Sequence, residues 1–196
     1  MDEEEEEEEA VEPELMPELE PGQEEEEFYS DPDPEVMEPM EEPEAPQVLR
    51  ARVEIMSSMG KHGYEDGFVL FEQVGDETRV TGVISGLTEG LHGFHVHEFG
   101  NLEYGCDSTG GHYNPTDDDH GSPDMDMRHI GDLGNIEAES IGVAIIDQTV
   151  TNLPLSGPYS IIGRAVVVHA DEDDFMGESG NAGPRVACGV IGNLQS

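Results

Sequence analysis

The sequence predicts an all-β domain, an antiparallel sandwich or barrel with two long functional loops, carried behind a disordered acidic tail. Three observations predict it. Short β-rich runs recur through residues 47–196, and glycine-rich turns separate them. No segment sustains a helical period. The first 46 residues lack the apolar content that a core requires.

Residues 1–46 hold 23 of the 47 acidic residues and 8 of the 13 prolines, with no lysine or arginine. Such a segment repels itself and has little to bury, so disorder is expected up to a boundary near Pro46. Residues 47–196 carry the other 24 acids and all 7 bases, a net charge of −17. They are long enough for one sizeable core. Leu49, Ala51, Val53 and Ile55 alternate with Arg50, Arg52 and Glu54, which is the period of a half-buried strand. Further runs cover 67–74, 79–84, 91–97, 143–147, 161–168 and 186–191. Glycine pairs punctuate them: Gly60 and Gly63, Gly86 and Gly90, Gly131 and Gly134, Gly180 and Gly183. Two polar stretches, 98–132 and 169–183, break the regular spacing. Long loops on a compact scaffold commonly carry function.

Charge excludes several functions. At a formal −40 the chain is unsuited to general nucleic-acid binding and to anionic membrane surfaces, which both need lysine and arginine. No run of about 18 apolar residues exists to span a membrane. The glutamate-rich start has neither a basic nor an apolar signal region, so no secretory signal and a cytoplasmic location are expected.

Five of the eight histidines lie between His95 and His129. His95 and His97 are two apart on an expected strand, so both rings project from one face while Phe94 and Val96 face the core. Two imidazoles on one face can share a metal, although a lone pair of this kind is as often a surface pair. His112, His120 and His129 follow within a glycine-rich loop, with Asp132 three residues later. Three histidines and an aspartate form a closed tetrahedral zinc set; imidazole also suits copper. The bland reading is a solvated polar loop. His169 ends an apolar run, where a strand-end histidine is more usual than a ligand. Cys106 and Cys188 could join that loop to the last strand, or remain two reduced thiols, which is the better prior for a chain without a secretory signal.

At this point the residues match a family. G-F-H-V-H-E-F-G at 93–100, G-G-H-Y-N-P at 110–115, R-H-I-G-D-L-G-N at 128–135 and G-N-A-G-P-R-V-A-C-G-V-I-G at 180–192 resemble copper-zinc superoxide dismutase. G-L-T-E-G-L at 86–91 and I-I-G-R at 161–164 agree in order and spacing. The resemblance covers about 48–194 and implies an eight-stranded Greek-key β-barrel. It implies copper on His95, His97, His112 and His169, and zinc on His112, His120, His129 and Asp132, with His112 as the bridge. It implies the Cys106–Cys188 disulfide even in the cytosol. Asp173 matches the aspartate that links a copper-bound and a zinc-bound histidine, here His95 and His120. Arg185 matches the arginine that receives the anion. His92 fits as a structural residue, and His62 reads as surface.

The implied activity is dismutation of superoxide to oxygen and hydrogen peroxide, with copper alternately reduced and reoxidised. Zinc is the structural and tuning metal, and His112 hands over a proton. A homodimer is implied, with Gly100, Ile161, Ile162 and Gly163 retained on its surface. Asn193 falls where an apolar contact is expected and would weaken it. A copper chaperone would load the site. The second loop departs from the family: it is about seven residues shorter and has no lysine, and Glu178 stands where the best-placed lysine is expected. This departure motivates an alternative, a metal-binding relative with little or no turnover. A third reading, that the chain is itself a copper chaperone, lacks the closely spaced cysteine pair that Cu(I) transfer needs.

Overall fold

The computed structural model describes residues 46–58 and 66–194. The tail expected over 1–45, the turn at Gly60 and Gly63, and His62 lie outside the described residues. The strands are β1 (Val48–Ser57), β2 (Asp66–Val74), β3 (Glu77–Ser85), β4 (Gly90–His97), β5 (Glu103–Cys106), β6 (Asp132–Ala138), β7 (Val143–Thr151), β8 (Ala165–His169), β9 (Arg185–Val190) and β10 (Gly192–Asn193). One 3₁₀ turn, Asp107–Thr109, follows β5. Among the described residues no helix is long and apolar enough to cross a membrane.

Eight strands close into an antiparallel barrel in the order β1, β2, β3, β7, β6, β4, β8, β9, and β9 returns to β1 through Met56 with Cys188 and Ser57 with Ala187. β10 adds a short pair on β1, where Asn193 lies opposite Ala51 and is exposed. Closure removes free sheet edges, which would otherwise template aggregation. Alternation decides which side chains fill the interior. Ala51, Val53 and Ile55 point in from β1, and Phe71, Val80, Phe94, Val96, Ile136, Ile146 and Val168 meet them. Phe71 and Phe94 are fully buried, each worth roughly 1.5–3 kcal/mol relative to exposure.

β4 and β8 are buried on both faces. Phe94 and Val96 enter the core, yet His95 and His97 on the opposite face are also buried, at 0% and 1% exposure. On β8, Val166 and Val168 join the core while Ala165 and Val167 pack with Cys106, Cys188 and Leu102. The covering layer comes from the two long connections, 98–131 and 170–184. The first is stitched to β4: Tyr113 N donates to Val96 O (2.8 Å), Val96 N to Gly131 O (2.8 Å) and Gly131 N to Tyr113 O (2.9 Å). A Cβ at Gly131 would collide with the Val96 carbonyl, so only glycine allows this approach.

Most strands agree with the alternation, and two segments differ. β6 runs through Gly134, which the sequence marks as a turn. Gly134 has φ +77° beneath Pro123, and the β4–β6 register shifts between Gly93 and His95, so this glycine makes a bulge rather than an end. The apolar run 161–168 is not all strand. Ile161–Arg164 form a turn with Gly163 at φ +81°, Ile161 is buried, and β8 starts only at Ala165.

Candidate metal centre

Six histidines and one aspartate converge on the outer face of β4. His95 and His97 come from β4 itself, and Asp132 opens β6. His169 closes β8. His112, His120 and His129 come from the connection 98–131, and a bridge between His97 and His112 ties that connection to the strand. Two groups result: His95, His97, His112 and His169, and His112, His120, His129 and Asp132. Within each group the potential ligand atoms lie within 4.8 Å of one another. His112 belongs to both, and its ring stacks on that of His95 with centroids 3.9 Å apart.

Hydrogen bonding decides which nitrogen of each ring remains free. His97 Nδ1 donates to Gly110 O (2.9 Å), and His169 Nδ1 donates to Gly183 O (2.9 Å). A carbonyl can only accept, so each Nε2 keeps its lone pair. Those two Nε2 atoms face each other at 3.4 Å. His95 Nε2 donates to Asp173 Oδ2 (2.7 Å) and His120 Nε2 to Asp173 Oδ1 (2.9 Å), which leaves His95 Nδ1 free. Asp132 Oδ1 accepts from His112 Nδ1 (2.9 Å) and His129 Nδ1 (3.2 Å). His120 Nδ1 lies 2.9 Å from Asp132 Oδ2, an ion-pair contact outside hydrogen-bond geometry. His95 Nδ1, His112 Nε2 and His120 Nδ1 are buried and have no partner.

Buried polar atoms without partners are costly and rare. Here they point at two shared centres, together with facing lone pairs, and a cation at each centre would satisfy them all. The donor sets fit copper on the four-histidine group and zinc on the three-histidine, one-aspartate group. Electrostatics agree. Burial pushes His95 and His169 down to about 4 and His97 to about 2, so these rings are neutral near pH 7, the form that ligates metal. His120 differs: burial opposes its charge, but Asp132 and Asp173 on either side outweigh it and raise this ring to about 9, so near pH 7 it is protonated and a metal ion would displace that proton. Burial alone would raise Asp132; the three histidines around it hold its carboxyl far below the usual carboxylate range.

Asp173 therefore stands where the sequence places it, fully buried between His95 and His120. Gly180 makes this possible: it has φ +65°, and a Cβ there would strike the Asp173 carboxylate and His120 Nε2. Arg185 also lies at the site. Its guanidinium donates to Cys106 O (2.8 Å), Thr109 Oγ1 (3.0 Å) and Gly110 O (2.6 Å). The Cys106–Cys188 disulfide is formed and holds the first connection against β9. His92 is buried outside the metal groups, with Nδ1 donating to His169 O (2.8 Å).

Other supporting residues were not legible in sequence. Asn135 holds the Asp173 backbone from both sides: its Nδ2 donates to Asp173 O (2.9 Å), and its Oδ1 accepts from Asp173 N (2.7 Å). Thr109 Oγ1 accepts from both His97 Nδ1 (3.1 Å) and Arg185. Phe175, at an uncommon φ of +58°, stacks on His120 with centroids 6.5 Å apart. The signal for Asn135 was its place in the 128–135 motif. No local pattern marks the other two.

A surface cleft reaches the second group. His112, His120 and His129 line its buried floor, while Asp117, Asp118, Asp119 and Glu178 line it with Phe175 and Met176. No lysine or arginine is among its lining residues.

Comparison with known proteins agrees with this architecture. The crystal structure of the clock protein EA4 is similar: it is 44% identical, with a TM-score of 0.69, and the match covers 74% of this chain and 94% of that one. Residues 65–191 match the family model described as copper/zinc superoxide dismutase. That match spans more than half of the 196 residues, and the chain belongs to the copper/zinc superoxide dismutase family.

Proposed function

We propose that the protein converts two superoxide ions and two protons into dioxygen and hydrogen peroxide. Copper would sit on His95, His97, His112 and His169, and zinc on His112, His120, His129 and Asp132. The observation that carries this reading is the convergence of buried, unpartnered nitrogens on two centres that share one imidazole. Bound copper would supply one-electron chemistry, alternately accepting an electron from one superoxide and giving one to the next, while zinc would fix geometry and charge.

The chain's own residues do the rest. Asp173 accepts from both His95 and His120, so it sets both ring orientations and both tautomers at once. His112 presents one nitrogen to each centre, and Nε2 is the atom at which it would hold a proton for the departing product. Arg185 carries a permanent positive charge beside His97 and His169, and its three hydrogen bonds fix that charge in place for an incoming anion. Burial of the histidine face excludes bulk water from the reacting region.

A second reading, a metal-binding protein with little turnover, is favoured by the acidic cleft, which repels an anion. Metal analysis and a pulse-radiolysis rate on one preparation separate the two. One copper and one zinc per chain with fast turnover support the first; full metal loading without turnover supports the second. For an active enzyme with this acidic surround, the rate should stay flat or rise between about 10 and 200 mM salt, as the Debye length falls from about 30 Å to under 10 Å. A steep fall with salt would show that an attractive field survives.

A homodimer in the cytoplasm completes the proposal, with copper delivered by a separate chaperone. Family membership supports the dimer. Gly100 and Gly163 approach each other closely enough that a Cβ at Gly100 would strike the Gly163 carbonyl.

A further inference from the structure

The acidic cleft has a use that the reaction does not need. Asp117 and Asp119 on the first connection and Glu178 on the second are exposed, Asp118 is half-buried, and all four line one cleft. Its floor holds His112 and His120, whose side chains are 4% and 0% exposed, and His120 Nδ1, beside Asp132 Oδ2, has no hydrogen-bond partner. No cation among the lining residues offsets the four carboxylates. Such a surface is unfavourable for superoxide and favourable for a divalent metal ion.

We propose that Asp117, Asp118, Asp119 and Glu178 form a collecting rim for divalent zinc, which gathers the ion electrostatically and passes it to His112, His120, His129 and Asp132. The proposal rests on the reading that those four residues hold zinc. The rim residues act on approach and are not final ligands, because the closed set already supplies four donors. Asn114 braces the rim: its Nδ2 donates to Asp118 O (2.8 Å), and its Oδ1 accepts from Asp118 N (3.1 Å). The backbone of Asp118 is therefore held in place at the cleft. In water-like dielectric, one carboxylate about 10 Å from a divalent cation raises its local concentration about fourfold before screening. Three such charges amount to roughly sixtyfold at very low salt, and much less once the Debye length reaches about 10 Å. The same charges oppose the anionic substrate, so this chain trades speed of substrate capture for speed of metal capture.

The test is stopped-flow zinc uptake by metal-free, disulfide-intact, full-length protein, with a chromophoric chelator reporting free zinc. The variant Asp117→Asn/Asp119→Asn/Glu178→Gln removes three charges and spares Asp118, whose carboxylate accepts from Thr116. Association should slow more than about tenfold at 10 mM salt, and the fall of rate with salt seen in the parent should flatten. Final zinc content should be unchanged. Glu178→Gln alone, on the other connection, should slow uptake roughly threefold and guards against a misfolded triple variant. Equal rates and equal salt slopes in parent and variants overturn the rim while leaving the zinc site standing. A parallel loss of final zinc content also overturns it, since the acids would then be ligands. Failure of the parent to take up zinc overturns both the rim and the zinc assignment beneath it.

Discussion

Removing the Cys106–Cys188 disulfide tests how the metal face is held over the barrel. The bond joins residues 82 apart, and both cysteines are buried. A cross-link of that span removes about 4.5 kcal/mol of chain entropy from the unfolded state. Cys106→Ala/Cys188→Ala breaks it without burying a hydroxyl. The metal-free variant should therefore lose about 4.5 kcal/mol by urea unfolding, a large share of a typical domain's stability. The structure adds a second consequence. Cys106 O and Gly110 O, on the tethered segment, accept from Arg185, and Gly110 O also accepts from His97 Nδ1. Releasing the segment loosens a ring on the copper side together with the guanidinium beside it. Turnover per bound copper should fall along with stability. A stability loss below about 1 kcal/mol, at unchanged m-value, would refute the reasoning: the hydrogen bonds of the segment would then hold it without the cross-link.

Asp173→Asn should weaken both metals by about 10–100-fold in chelator competition, because one amide cannot accept from His95 and His120 as two carboxylate oxygens do; unchanged affinity for both would remove its orienting role. The metal-free protein should be most stable near neutral pH. His95 and His169 are depressed to about 4 in the fold, so the unfolded chain binds more protons below 6.5 and stability falls as pH drops from 6.5 toward 4. His120 is raised to about 9, so stability also falls as pH rises from 6.5 toward 9, and a melting profile flat across both windows would contradict these environments. The proposed dimer should dissociate on dilution from micromolar to nanomolar, since Asn193 is an exposed amide where an apolar contact is expected and an unpaired amide costs about 1–3 kcal/mol when buried; sedimentation showing dimer throughout would set this aside.

The sequence by itself determined the fold class and named the residues that the structure gathers on one face. Ala51, Val53 and Ile55 face inward because their spacing matches the period of a strand, and β2, β3 and β4 form where β-branched and aromatic residues cluster between glycines. The seven residues that gather into the two groups, and Asp173 beside them, were named from residue type, spacing and the family resemblance. What depends on through-space packing was not. β6 was hidden because Gly134 sits inside it at positive φ, and a bulge reads locally as a turn. Ile161 was read as strand because burial in a turn leaves the same apolar signature as burial in a sheet. Only the tertiary structure decided that the outer face of β4 is roofed by two loops, so that His95 and His97 are as buried as the core. It alone decided which nitrogen of each ring stays free, because the carbonyls of Gly110 and Gly183 and the oxygens of Asp173 arrive from segments 13 to 78 residues away. A lone pair's direction is set by the partner of the opposite nitrogen, and that partner is adjacent in the fold while distant in the chain.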